Sequence, residues 1–299
     1  MERLAAGLGF GGLDEAVDGF HDAVGDLGVE PAYHAHATGI CDITLQCLVN
    51  ATGRIIVIPR SVKSAISASL KNTLPTGVCS AVSLLGTEVN LYRLHRRGVK
   101  RAQAYKNRTG LKLNIGCGPN SKEGWINIDL SRSAEMSLDM REPLPFSDDS
   151  VSIIYSEHFF EHLDYPNVAK MFLQECFRVL ELDGIFRLGV PDTRPALFDY
   201  AGVGDGWWRD ACKNREFFRP EWCVTILDHI NYHFRQCGEH KYAYDFETIE
   251  NVLEEVGFVD IAKSEFDAFL DTKSRELGTL YVNARKKDKL HTPSAPDDM

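Results

Sequence analysis

Two groups of residues in this sequence have types and spacings that can do chemistry. The first is L-K-L-N-I-G-C-G-P-N, Leu111 to Asn120, an apolar run that enters Gly116-Cys117-Gly118. Glycine lacks Cβ, so such a loop turns tightly and lets a ligand lie against backbone amides. It is not the full G-x-G-x-x-G dinucleotide fingerprint, because Ser121 stands where the third glycine would be. Asp129 ends the next apolar run, Trp125 to Asp129. An acid at the carboxyl end of a strand can accept hydrogen bonds from the vicinal hydroxyls of a ribose. Asp139, or the amide of Met140, could meet the exocyclic amine of a base.

The second group is Ser156-Glu157-His158-Phe159-Phe160-Glu161-His162. Glu157, His158 and His162 are candidate proton acceptors by residue type and place. The same letters satisfy H-x-x-E-H, in which two histidines hold zinc and the glutamate acts as base. A further set, Cys223, His229, His233, Cys237 and His240, places 229, 233 and 237 on one face of a continuous helix. Its spacing fits no standard zinc finger. The histidines are read as packing or acceptor-lining residues, and no metal is expected.

These residues need elements to hold them. Leu111–Gly116, Trp125–Asp129, Val151–Ser156, Ile185–Val190, Phe258–Lys263 and Thr279–Ala284 read as strands. Val168, Met171, Phe172, Cys176, Val179 and Leu180 recur at a helical period, so Asn167 to Leu180 reads as a helix closed by Asp183-Gly184. Asp245 caps a second helix that runs to Val256 before Gly257. Alternating strands and helices define an α/β domain over 109–287. The glycine loop, Asp129, Asp139, the Ser156–His162 run and Val190-Pro191-Asp192 each fall at the carboxyl edge of a strand, so one cleft can collect them. Residues 195–244 form an aromatic-rich insertion, with Phe198, Trp207, Trp208, Trp222 and Tyr232 among others, suited to cover that cleft and select an acceptor. Residues 1–60 are glycine-broken and are expected to be a poorly defined extension, Arg54 to Pro59 excepted as a short strand. Residues 61–108 read as a partly helical, basic lead-in, and 288–299 as a disordered tail.

Composition bounds the rest. The 299 residues carry 43 acidic and 33 basic side chains, for a net charge of −10. That balance excludes bulk phosphate binding, although Arg93, Arg96, Arg97, Lys100, Arg101, Lys106 and Arg108 make a local basic run that could touch an anionic surface. Ile40 to Pro59, the most apolar long stretch, contains Asp42, Gln46, Asn50 and Arg54 and fails as a membrane span. The eight cysteines include no C-x-x-C pair, and no signal peptide opens the chain, so a cytoplasmic protein with free thiols is expected.

The ordered series from LKLNIGCG through Asp129, Asp139, PLPF and SEHFFEHL to ECFRVLELDGIFRLGVPD resembles class I S-adenosylmethionine-dependent methyltransferases of the type-11 group. The resemblance covers about 111–286. It implies a Rossmann-like seven-stranded sheet flanked by helices, with S-adenosyl-L-methionine as cofactor. Asn114 to Gly118 would form the loop under the methionyl and ribose parts. Asp129 would bind the ribose hydroxyls, Asp139 and Met140 would flank adenine, and Ser156 and Glu157 would sit near the methionyl group. Asn114 stands where an acid is common, and Leu182-Asp183 replace a usual Pro-Gly. The family reaction is an in-line methyl transfer, here expected at an oxygen of a small molecule or glycan. A cofactor-binding regulatory or partner module without transferase activity is the alternative.

Overall fold

In the computed structural model, residues 75–131, 134–214, 216 and 220–287 are described, together with the backbone of two short strands before them. The remainder of the extension and the 288–299 tail lie outside the described residues. The chain divides into two units, Met1–Tyr92 and Arg93–Met299. In the first, β1 (Leu48–Val49) pairs antiparallel with β2 (Ile55–Ile56). Helix α1 (Thr76–Ala102) begins in the first unit and ends in the second.

The second unit is built on β3 (Leu111–Ile115), β4 (Ile126–Ile128), β5 (Val151–Glu157), β6 (Leu180–Pro191), β7 (Val259–Ser264) and β8 (Thr279–Arg285). They form one sheet in the order β4-β3-β5-β6-β8-β7. The first four strands are parallel, and β8 runs antiparallel between β6 and β7. Six strands stand where seven are expected. Beside β4, the segment after Asp129 makes a single parallel bridge, Ile128 to Met136. Further along it, Pro143 and Pro145 have no N–H to give a ladder.

Helix α2 (Asn167–Val179) and helix α6 (Phe246–Val256) cover one face of this sheet. Phe172, Leu173, Cys176 and Val179 of α2, with Ile249, Val252 and Leu253 of α6, bury against Leu113, Ile154, Phe186 and Val282. Asp245 caps α6 by accepting from the Thr248 amide, and Gly257 ends it at φ 113°. Helix α2 stops earlier than its periodicity implies. Leu180 is already extended at ψ 136° and pairs with Val151 as the first residue of β6. The turn beyond it puts Asp183, not Gly184, at positive φ (61°).

The other face is polar. Register aligns Asn127, Asn114, Tyr155, Arg187 and Asn283 across five adjacent strands. Parallel strands of this kind are usually apolar on both faces. Here no helix fills the β3–β4 crossover, Gly116–Trp125. That loop and the 265–278 segment cover the face instead. Lys122 Nζ sits 4.3 Å over the Tyr155 ring and donates to the Leu270 carbonyl. Trp125 meets Tyr155 edge-on at 6.4 Å.

Between β6 and α6 lie α3 (Thr193–Ala201), α4 (Trp207–Lys213) and α5 (Ile226–Arg235). They enclose a small core of their own from Ala196, Trp208, Cys212 and Ile230. Among the described residues, no helix is long and apolar enough to cross a membrane.

Candidate active site

The glycine loop leaves β3 with the Gly116 and Cys117 amides donating to the Ile128 carbonyl at 2.9 and 3.1 Å. Gly116 has φ 69°, and a Cβ there would fall 2.4 Å from Phe159 Cβ. Conformation and contact both require glycine at this position. Gly118 has φ 49°, but a Cβ there would meet nothing within 4 Å. Its open side is the space a ligand can use. Cys117 is buried, and burial together with the nearby Asp129 charge pushes its thiol up to about 12. It therefore stays protonated and is no nucleophile at neutral pH.

Asp129 is fixed where the loop can use it. Its Oδ2 accepts from the Gly118 amide at 3.0 Å and its Oδ1 from the Ser131 amide at 2.6 Å. Each carboxylate oxygen can accept twice, so capacity for two ribose hydroxyls remains. Asn114 is turned the other way. Its amide donates to the Asn120 carbonyl at 3.0 Å and to Asn127 Oδ1 at 2.8 Å. This carboxamide pins the loop to β4.

Asp139 and Met140 are buried beside the end of α1. The Asp139 amide donates to His95 Nδ1 at 3.2 Å, and a Cβ on Gly98 would fall 2.0 Å from the Ser137 carbonyl oxygen. Only glycine permits that approach of helix to chain. The Asp139 carboxylate is clasped by Arg141, with Nε 3.0 Å and Nη2 2.6 Å from its oxygens. Burial alone would raise the Asp139 carboxyl, but the Arg141 bonds outweigh it and hold the group below its usual range. The charge of Arg141 thus already satisfies the acid.

Ser156 and Glu157 are neighbours on β5 and so point to opposite faces. Ser156 is fully buried on the helix-covered side, and among the described residues its hydroxyl has no hydrogen-bond partner. Glu157 enters the polar face. Its Oε1 accepts from Tyr281 Oη at 2.9 Å and from the Thr272 amide at 3.2 Å, and Arg275 Nη1 lies 3.5 Å from Oε2. Gly189 makes room for this, since a Cβ there would crowd the Tyr281 ring at 3.0 Å and Glu157 Cγ at 3.2 Å. Burial and the Glu157 charge push the Tyr281 phenol up, so it remains a donor. Next to it, Arg187 is held by Asp271, with Nε 2.9 Å from Oδ1, and by Ser264 Oγ at 2.7 Å and Asn283 Oδ1 at 3.0 Å. Residue-type reading overlooks this network. A signal was present, because Arg187 interrupts the apolar strand I-F-R-L-G-V, and a buried arginine needs a partner.

Past β5, His158 takes φ 55° and a 3-10 turn follows at Phe160–His162. His158 and His162 therefore do not share a helix, yet both reach Glu161, the buried residue between them. Burial holds both imidazoles below their usual pKa and pushes the Glu161 carboxyl up to about 8. The Cys/His series does not gather. Helix α5 ends at Gln236 (φ 36°), and Cys237 (φ 58°) is exposed beyond it. His233 Nε2 lies 3.1 Å from the Asp192 carbonyl, while His240 alone of that set reaches Glu161.

The insertion also holds a cavity of about 300 Å³, lined by Asp192, Arg194, Phe198, Asp199, Val203 and Trp207 among others. Asp192 caps α3, and burial raises its carboxyl. No residue of the glycine loop lines this cavity.

Residues 113–188 match the family model described as a methyltransferase domain. Over this segment the chain is similar to class I S-adenosylmethionine-dependent methyltransferases, and the match supports a methyltransferase enzyme that uses S-adenosylmethionine on a Rossmann-like α/β fold. The open face of Gly118 and the lone pairs of Asp129 fit that cofactor's ribose and methionyl parts. No curated protein sequence matches the chain. Solved structures similar to it include a methyltransferase from Archaeoglobus fulgidus, 17% identical over 67% of this chain and 94% of that one, with TM-score 0.36. Another is a methyltransferase from Thermotoga maritima, 14% identical over 66% and 91%, with TM-score 0.36. A third is phosphoethanolamine N-methyltransferase 2 of Haemonchus contortus in complex with S-adenosyl-L-methionine, 12% identical over 64% and 53%, with TM-score 0.37.

Proposed function

We propose that this chain transfers a methyl group from S-adenosyl-L-methionine to an oxygen of a small-molecule or glycan acceptor in the cytoplasm. The observation that carries the reading is the pairing of Gly118 with Asp129, which leaves open space over the loop and acceptor capacity on the carboxylate. In this reading Asn114 keeps the loop shaped and Gly116, Cys117 and Gly118 line the cofactor. Asp129 receives the ribose hydroxyls. The backbone at Asp139 and Met140 flanks adenine, because the Asp139 carboxylate is engaged by Arg141. The β5 end at Ser156 and Glu157 borders the methionyl part.

The bound cofactor supplies a methyl carbon that is already electrophilic. The chain's own residues then hold the acceptor in line and exclude water, and positioning of this kind supplies most of the acceleration. An acceptor hydroxyl must also lose its proton. His158 and His162 are the candidate bases, since both are held neutral by burial. Glu157 is the weaker candidate because Tyr281, Thr272 and Arg275 already engage it. The insertion cavity, with Phe198 and Trp207 beside Asp192, suits the apolar faces and hydroxyl edges of a sugar. The exposed basic face of α1, including Arg93 and Lys100, gives an anionic acceptor or surface a place to rest.

Calorimetry with S-adenosylhomocysteine tests cofactor binding. Asp129→Ala is expected to weaken it by about 1.5–3 kcal/mol, the scale of a hydrogen bond to a charged group. Unchanged affinity would remove Asp129 from the site. Transfer of radiolabelled methyl into a metabolite or glycan fraction tests the activity, and binding without any transfer would favour a regulatory module.

A further inference from the structure

Glu161 is 2% exposed, and among the described residues neither of its carboxyl oxygens has a hydrogen-bond partner. Three imidazole nitrogens surround its Oε1: His158 Nδ1 at 3.7 Å, His240 Nε2 at 3.9 Å and His162 Nε2 at 4.0 Å. The second nitrogen of each ring sets its tautomer. His240 Nδ1 lies 2.8 Å from the His233 carbonyl, and His162 Nδ1 lies 3.2 Å from the Glu239 carbonyl. A carbonyl only accepts, so both Nδ1 atoms carry hydrogen and both Nε2 lone pairs face Glu161. His158 Nε2 lies 2.8 Å from Thr279 Oγ1, whose own hydrogen goes to the Arg275 carbonyl at 2.5 Å. His158 therefore directs its Nδ1 lone pair at the same carboxylate.

A proton on Glu161 could satisfy one of these lone pairs, but three converging on a single buried carboxyl exceed what one proton can engage and suit a metal cation. We propose that Glu161, His162 and His240, with His158 as a fourth donor, form a site for a divalent transition metal of the zinc class. Donor atoms from the first three already lie within 4.8 Å of one another. Zinc–ligand bonds of about 2.0–2.2 Å put neighbouring tetrahedral donors on the order of 3.3–3.5 Å apart. The distances to Glu161 need to close by about 0.2–0.7 Å, and the widest pair within the 4.8 Å span by up to about 1.5 Å, which side-chain rotation on metal binding can supply. Imidazole with one carboxylate and no thiolate selects zinc, cobalt, nickel or iron(II) over calcium and magnesium. Backbone carbonyls that orient the ligating imidazoles are the usual outer partners of such a site.

The metal would tie the insertion to the β5 edge. Its nearest backbone link is already in place, since the Lys241 amide donates to the Glu161 carbonyl at 2.8 Å. His162 is partly exposed and gives the ion a way in. Cofactor binding does not depend on this site, since the inference rests on ligand geometry; with the metal bound, the free lone pairs of His158 and His162 are taken up, so they act as ligands and not as the bases proposed above.

The test uses the full chain, stripped with a chelator and then titrated with Zn²⁺ by calorimetry and with Co²⁺ by visible absorption. One ion per chain with submicromolar affinity is expected, together with the intense ligand-field bands of a low-symmetry cobalt site. His162→Ala and His240→Ala should each weaken zinc binding by at least about 100-fold. Cys237→Ser, at an exposed thiol outside the cluster, should bind as wild type. Circular dichroism establishes that each protein is folded, and S-adenosylhomocysteine binding reports separately on the cofactor site. Absence of saturable zinc binding by the folded wild-type chain would overturn the proposal. So would wild-type affinity in both histidine variants.

Discussion

The two faces of the central sheet solve the same problem with different chemistry. On one face Phe172, Phe186, Ile249 and their neighbours exclude water by packing, under two amphipathic helices. On the other, Arg187, Asp271, Glu157 and Tyr281 exclude it while satisfying one another, under a crossover loop and the 265–278 segment. The apolar face tolerates imperfect fit at a graded cost in cavity volume. The polar face is closer to all-or-none, because a buried charge that loses its partner costs more than the pair contributes. The same polar face meets the candidate site through Glu157.

Arg187→Ala provides the most severe test of this contrast. It leaves Asp271 buried without its cation, so a loss of about 3–5 kcal/mol in urea unfolding is expected. Removing both charges in Arg187→Met/Asp271→Leu should recover part of that loss. A single-variant cost below about 1 kcal/mol would mean that water reaches the pair and that the contrast is wrong.

That network also marks the limit of what the residues alone disclose. The strands and the glycine loop were legible because period-2 and apolar runs are local signals, as in L-K-L-N-I and V-S-I-I-Y. The capped helix Phe246–Val256 was legible for the same reason, with Asp245 before it and Gly257 after. The start of β6 was obscured because Leu180 satisfies the helical period as well as the strand. Asp129 and Gly118 could be paired by position, but the clasp of Arg141 on Asp139 could not. The meeting of Glu161 with His240 depends on how the insertion folds back, and neither residue's neighbours encode that return.

A smaller effect sharpens the comparison at the site itself. Tyr281→Phe removes one hydrogen bond to a buried carboxylate and is expected to cost about 1.5–3 kcal/mol. Thermal unfolding measures it, and S-adenosylhomocysteine affinity should fall with it if Glu157 borders the methionyl part. The smallest effect belongs to the helical face. Asp245→Ala removes the cap of α6 and should cost about 1 kcal/mol, with no change in cofactor affinity. If that order reverses, the helices rather than the polar network govern the domain's stability.

The crossover that lacks a helix has a consequence for how the chain reaches this state. A parallel sheet assembles late, because its strands meet only across long connections. Until the 265–278 segment docks, the uncovered side of the sheet displays asparagine, tyrosine and arginine where a doubly wound protein would display valine and isoleucine. A half-formed molecule of this chain therefore offers its neighbours a poorly adhesive surface during the interval when aggregation usually competes with folding.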